Sequence, residues 1–225
     1  MTVLRKRVAV LISGRGSNMA ALIEAAKEKD YPAEIVLVVS NNAGAAGIAY
    51  ARSAGIAVNV IDHKDYGKDR EAFERALDAV LKSSRIEIVC LAGFMRLLTP
   101  AFLAGWEGRI INIHPALLPE FKGLDTHARA LASGAKMHGA TVHFVTAEMD
   151  SGPIICQGVV PVLKGDDEET LARRVLVVEH KIYPVALKWL AGGNLHVKGG
   201  RVYLEGAAIP DGVIAPAQVA RSSLG

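Results

Sequence analysis

The chain has 225 residues, 51% hydrophobic and 22% charged, with a net charge of +3, which suits a globular protein able to bury a full core without staples. Lysines and arginines are scattered instead of blocked, so the footprint of a nucleic-acid binder is missing, while a pocket for small anions fits the mild positive charge. Cys90 and Cys156 lie in apolar runs and exclude a disulfide framework. With no leader-like apolar region and no stretch near the ~18 residues of a membrane span, a cytoplasmic chain is expected.

Arg7–Ile12 is a nearly continuous apolar run, the pattern of a strand buried on both faces. Ser13-Gly14-Arg15-Gly16-Ser17-Asn18 interrupts it, and Met19–Lys29 follows with Met19, Leu22, Ile23 and Ala26 at helical spacing. Strands are predicted over Ala33–Val39, Ile56–Ile61 and Ile86–Ala92, with helices over Ala45–Ala54 and Asp69–Ser83 between them. This alternation means βαβ units and a parallel sheet. An apolar loop, Gly93–Pro100, leads to a short helix over Pro100–Trp106 and a strand over Arg109–Ile113. The rhythm then changes: Gly139–Thr146 and Pro153–Val162 alternate and flank Asp150-Ser151-Gly152, an antiparallel addition to the sheet. Glu168–Leu190 is a long helix with acidic residues near its positive end, Leu195–Val197 and Val202–Leu204 a small hairpin, and 207–225 an extended or frayed tail.

Three places carry chemistry. Asn112 and His114 alternate at the exit of a predicted strand that Pro115 terminates, where open α/β sheets bind ligands. Asp150 heads a glycine-containing turn, and a carboxylate within ~4–6 Å of an imidazole favours the charged ring, which then donates a proton or stabilises an oxyanion. No seryl or cysteinyl nucleophile is needed if the substrate brings its own amine. Gly14-x-Gly16 before a helix gathers an anion on backbone N–H groups, with Ser17 and Asn18 as further donors and helix caps. Met19 stands where a dinucleotide fingerprint needs a third glycine, and Ser40 and Asn41 stand where it needs an acid, so a small phosphorylated substrate is the better reading. No histidines or cysteines fall at metal-ligand spacing, and no metal is expected. His143 reads as a satisfied sheet residue; His127 is open between lining the site and not.

Ser13–Asn18, Ala92-Gly93-Phe94-Met95-Arg96, Asn112-Ile113-His114-Pro115 with Leu117-Leu118-Pro119, His143-Phe144-Val145 and Asp150-Ser151-Gly152-Pro153 occur in one order. Together they resemble the folate-dependent phosphoribosylglycinamide formyltransferases, from about Val8 to Leu204. The resemblance implies an α/β, Rossmann-like formyltransferase fold: an open twisted, mostly parallel sheet with helices on both faces and antiparallel C-terminal strands. It implies one domain over 1–206, with a mononucleotide-binding half over 1–108 and a catalytic and folate half over 109–206. The implied reaction moves the formyl group of 10-formyltetrahydrofolate to the amine of phosphoribosylglycinamide, in purine synthesis. Asn112, His114 and Asp150 would be the catalytic trio, and Gly16, Ser17, Asn18 and Glu179 would hold the ribonucleotide. Arg70, Met95, Arg96, Leu97 and Leu98, with Asn112 and the loop Ala147, Glu148, Met149 and Asp150, would hold the folate. Asp125 departs from the histidine of many relatives, and Lys122 from a proline, the latter expected to be harmless. Another formyl-folate transferase or hydrolase, or a catalytically silent folate- or nucleotide-binding module, are the rival readings. The implied partners are these small molecules alone, with no nucleic acid or membrane, and both monomer and loose homodimer stay open.

Overall fold

The computed structural model describes residues 4–219. Seven strands form one sheet in the order β3-β2-β1-β4-β5-β6-β7, and three more form a small second sheet. The chain divides into two compact units, Met1–Asn112 and Ile113–Gly225, the cut falling inside β5.

In the first unit β1 (Lys6–Ile12) pairs in parallel with β2 (Ala33–Ser40) and with β4 (Ile88–Leu91); β2 pairs with β3 (Ala57–Val60), and β4 with β5 (Ile110–His114). Val8 to Ile12 are fully buried, as a strand covered on both faces requires. Helices α1 (Ser17–Ala25), α2 (Gly47–Ser53), α3 (Arg70–Ser83) and α4 (Pro100–Ala104) are the crossovers. Helix α3 starts because the Asp69 carboxylate accepts from the Ala72 N–H, and it buries Phe73, Leu77 and Leu81 at helical spacing. The strand order reverses between β2-β1 and β4, so the ends of β1 and β4 meet where such sheets take ligands.

In the second unit β6 (Met137–Phe144) pairs antiparallel with β7 (Ile154–Pro161), and a 24-residue helix, α6 (Glu168–Ala191), is capped by a reciprocal Asp167–Thr170 box. The Arg174 guanidinium bonds both oxygens of Asp166 and holds its carboxyl down at about 2. Between β5 and β6 the sequence predicts only a loop; the structure adds α5 (Thr126–Ala132) there. Strands β8 (Leu195–Lys198) and β9 (Arg201–Glu205) form the terminal hairpin, and β10 (Ala217–Val219) joins it in parallel. Ile214 exchanges two backbone bonds with Gln157, and Val213 is buried, so the tail is tied down through residue 219. Its remaining residues, 220–225, lie outside the described residues.

Candidate active site

Strand β5 delivers His114 to its carboxyl end, where Pro115 removes the next backbone donor. The ring is 5% exposed. Its Nδ1 lies 3.5 Å from Asp150 Oδ2, and its Nε2 lies 3.0 Å from the Phe121 carbonyl oxygen. Both neighbours accept hydrogen bonds, so each ring nitrogen faces an acceptor. Asp150 sits in a left-handed turn, φ 50, a conformation that short polar side chains tolerate best. Its Oδ2 accepts from the Gly123 N–H at 2.9 Å.

The segment 121–123 therefore serves both partners at once, Phe121 through its carbonyl and Gly123 through its amide. Lys122 between them, expected to be harmless, donates from Nζ to Ser151 Oγ at 2.5 Å, tying its segment to the turn that carries Asp150. The Thr141 hydroxyl on β6 accepts from Leu118 N–H and donates to the Ala116 carbonyl, which fixes the chain leaving β5.

His143, expected to be a satisfied sheet residue, is one: it is buried on β6 with a backbone carbonyl partner, and it also lies beside Asp150. Its Nε2 lies 3.7 Å from Asp150 Oδ1. Its Nδ1 faces the Phe144 carbonyl at 2.9 Å, and a carbonyl only accepts, so the hydrogen is on Nδ1. The β6–β7 register shifts between Val142 and His143, which strict alternation does not signal. His127, left open above, contacts His138, with Nδ1 to Nε2 at 3.2 Å, and the Phe121 ring meets His138 edge-on. Burial lowers the pKa of His127 and His143 and holds His138 at about 4, against an ordinary 6.5. The unfolded chain takes up these protons near 6.5, so the associated stability is complete above that pH and is lost as pH falls towards about 4. Thermal melts across this window should show it, and His138→Gln should flatten the slope. A slope as steep as the parent's would contradict the assignment.

In the first unit, Gly16 takes φ 74 and is the cap residue of α1 without any side-chain cap bond. Ser17 and Asn18, expected as caps, are instead the first two helical residues. Gly47, not singled out in the sequence, makes this loop possible. A Cβ there would lie 2.8 Å from Ile12 Cδ1 and 3.2 Å from both the Gly14 oxygen and the Gly16 Cα. Its N–H donates to the Gly14 carbonyl at 3.0 Å.

The expected folate residues divide. Met95 and Leu97 are 67% and 61% exposed, whereas Leu98 is buried and Arg96 lies over the Phe73 ring. Arg70 donates to the Leu97 carbonyl at 2.8 Å. Ala147, Glu148 and Met149 are exposed on the loop before Asp150. Asn112 and His114 share one side of β5 by alternation, and Glu179 is buried on α6.

A glycine loop before α1 in the first unit and a buried imidazole–carboxylate contact in the second are, each by itself, features of α/β enzymes that act on small molecules. Residues 6–187 match the formyl transferase family, and the chain belongs to that family. It is similar to phosphoribosylglycinamide formyltransferase of Escherichia coli K12, 44% identical over 90% of this chain and 95% of that protein. It is also similar to the trifunctional purine biosynthetic protein adenosine-3 of Gallus gallus, 52% identical over 85% of this chain. The chain spans about a fifth of the length of that trifunctional relative, 19%. Among solved structures, glycinamide ribonucleotide transformylase 1 of Symbiobacterium toebii superposes with a TM-score of 0.85 at 45% identity, covering 88% of this chain and 93% of that one.

Proposed function

We propose that the chain transfers the formyl group of 10-formyltetrahydrofolate to the amine of 5-phosphoribosylglycinamide, giving the N-formyl ribonucleotide and tetrahydrofolate in purine biosynthesis. The observation that carries the proposal is the buried His114–Asp150 contact at 3.5 Å, in a chain 44% identical to a phosphoribosylglycinamide formyltransferase along nearly its whole length.

In this reading the substrate's amine attacks the formyl carbon, forming a C–N bond and placing negative charge on the formyl oxygen. Asn112 and His114 donate hydrogen bonds to that oxygen, and the Asp150 carboxylate offsets the positive charge of a ring carrying two hydrogens. Collapse breaks the bond to the folate N10. The attacking amine loses one proton and N10 gains one, with His114 as the donor nearest to hand. Gly16, Ser17 and Asn18 hold the phosphate, and Glu179 the ribose hydroxyls. The exposed apolar side chains of Met95 and Leu97, with the 147–150 loop, receive the pterin, and Arg70 meets the anionic tail. No metal takes part. The protein works as a cytoplasmic enzyme on these two small molecules, and the 1–206 segment acts as one formyltransferase domain.

Supplying both substrates and following the two products tests this. One N-formyl ribonucleotide per folate consumed is expected. Formate released with no ribonucleotide formylated indicates a hydrolase, and no turnover between about pH 6 and 9 indicates a silent binding module.

A further inference from the structure

The apolar 93–99 loop is held by its backbone at both ends, and the two anchors differ in where they come from. At the far end, Glu74 of α3, buried, accepts from the Thr99 N–H at 2.7 Å and from the Thr99 hydroxyl, and Arg70 holds the Leu97 carbonyl. At the near end, the anchor is Ser13, the residue that opens the glycine loop. Its N–H donates to the Gly93 carbonyl at 3.2 Å, and its hydroxyl accepts from the Met95 N–H at 2.8 Å. The same hydroxyl donates to Asn41 Oδ1 at 2.6 Å, beyond the end of β2. Asn41 is buried, and its carbonyl accepts from His63 Nδ1 at 2.7 Å. Asn42 closes the arrangement with its amide on the Ser13 carbonyl at 3.3 Å.

One hydroxyl thus joins the ends of β1, β2 and β4 through a single acceptor–donor relay. An alanine there removes both hydroxyl bonds: the exposed Met95 N–H is left to water, and the part-buried Asn41 side-chain oxygen loses its short partner. Together with the Arg70 and Glu74 bonds, the relay fixes the loop backbone at Gly93, Met95, Leu97 and Thr99. On this loop Met95 and Leu97 stand in solvent while Leu98 is buried.

We propose that Ser13 is a positioning residue that sets the loop carrying Met95 and Leu97 for the folate, and that it links this loop to the phosphate-holding glycine loop, so that each substrate binds more tightly once the other is present. This rests on the folate and ribonucleotide reading given above. Ser13 touches neither substrate in it; the effect runs through the Met95 and Gly93 backbone. Coupling of this kind is reciprocal by necessity, so it appears in both affinities.

Two measurements on the whole chain decide it. First, hydrogen exchange at the Met95 amide, without substrates, should speed up in Ser13→Ala and stay near the parent's rate in Ser13→Thr, which keeps the hydroxyl. Second, steady-state kinetics of Ser13→Ala should show the KM for 10-formyltetrahydrofolate raised about five- to tenfold with kcat within about twofold, and the threonine variant should restore it. The KM for each substrate should also stop depending on the concentration of the other in the alanine variant. Unchanged Met95 exchange overturns the relay. Faster exchange with an unchanged folate KM overturns its positioning role. A parent chain that forms no formylated ribonucleotide instead defeats the functional reading, and Met95 exchange then still decides the relay by itself.

Discussion

Asp150→Asn lowers kcat about a hundredfold or more while ribonucleotide affinity stays within about twofold of the parent's. The substitution isolates charge. Asparagine tolerates the left-handed backbone that Asp150 adopts at φ 50, and its amide oxygen still accepts from the Gly123 N–H. What disappears is the negative charge 3.5 Å from His114 Nδ1 and 3.7 Å from His143 Nε2. In the proposed mechanism the carboxylate offsets the positive charge of His114 during transfer, and the amide does not. Turnover and calorimetric binding measured on one preparation check this. Near-normal turnover would remove Asp150 from the chemistry, and a collapse of binding alongside turnover would give it a structural role instead.

The second large effect belongs to the glycine loop. Ser17→Ala combined with Asn18→Ala raises the KM for the ribonucleotide about a hundredfold, because two hydrogen bonds to a charged phosphate are lost at a helix start, and leaves kcat little changed. The control is the unphosphorylated glycinamide riboside, whose use should be equally poor in parent and variant. A parent-like KM for the ribonucleotide would show that the loop does not hold the phosphate.

Much of the first unit is legible in the sequence because β1 and β4, buried along most or all of their length, read as unbroken apolar runs. The expected runs Arg7–Ile12 and Ile86–Ala92 fall within two residues of β1, Lys6–Ile12, and β4, Ile88–Leu91, for that reason. Helix α3 was equally plain, with its acidic cap and one apolar stripe. Helix α5 was not. It starts at a left-handed Asp125 without a side-chain cap bond and runs only seven residues, so glycine, aspartate and threonine there read as turn residues.

The site shows the same division. His114 and Asp150 stand out because proline and glycine flank them, and residues with punctuation around them are visible in a sequence. The closeness of His143 to Asp150 does not stand out, since Val142 and Phe144 beside it make a strand pattern and the Asp150 contact is set by how the intervening chain folds. Lys122 was dismissed because its neighbours 29 positions away are invisible until Ser151 is placed beside it. Gly47 was read as part of an ordinary helix, although its missing Cβ is what lets α2 approach the glycine loop. In each case the lost information is a long-range contact, which residue spacing cannot carry.

The nucleophile is the point on which the chemistry turns. Cys90 and Cys156 are buried in β4 and β7, away from any substrate in solvent, and burial pushes the Cys156 thiol well above its ordinary pKa. The most direct measurement is a rapid-quench single turnover with 10-formyltetrahydrofolate labelled in the formyl carbon. The expected result is label passing from folate to ribonucleotide with none on the protein at any time, and no protein labelling when the ribonucleotide is left out. Label that appears on the protein and decays at the rate of turnover would contradict direct attack by the substrate's amine.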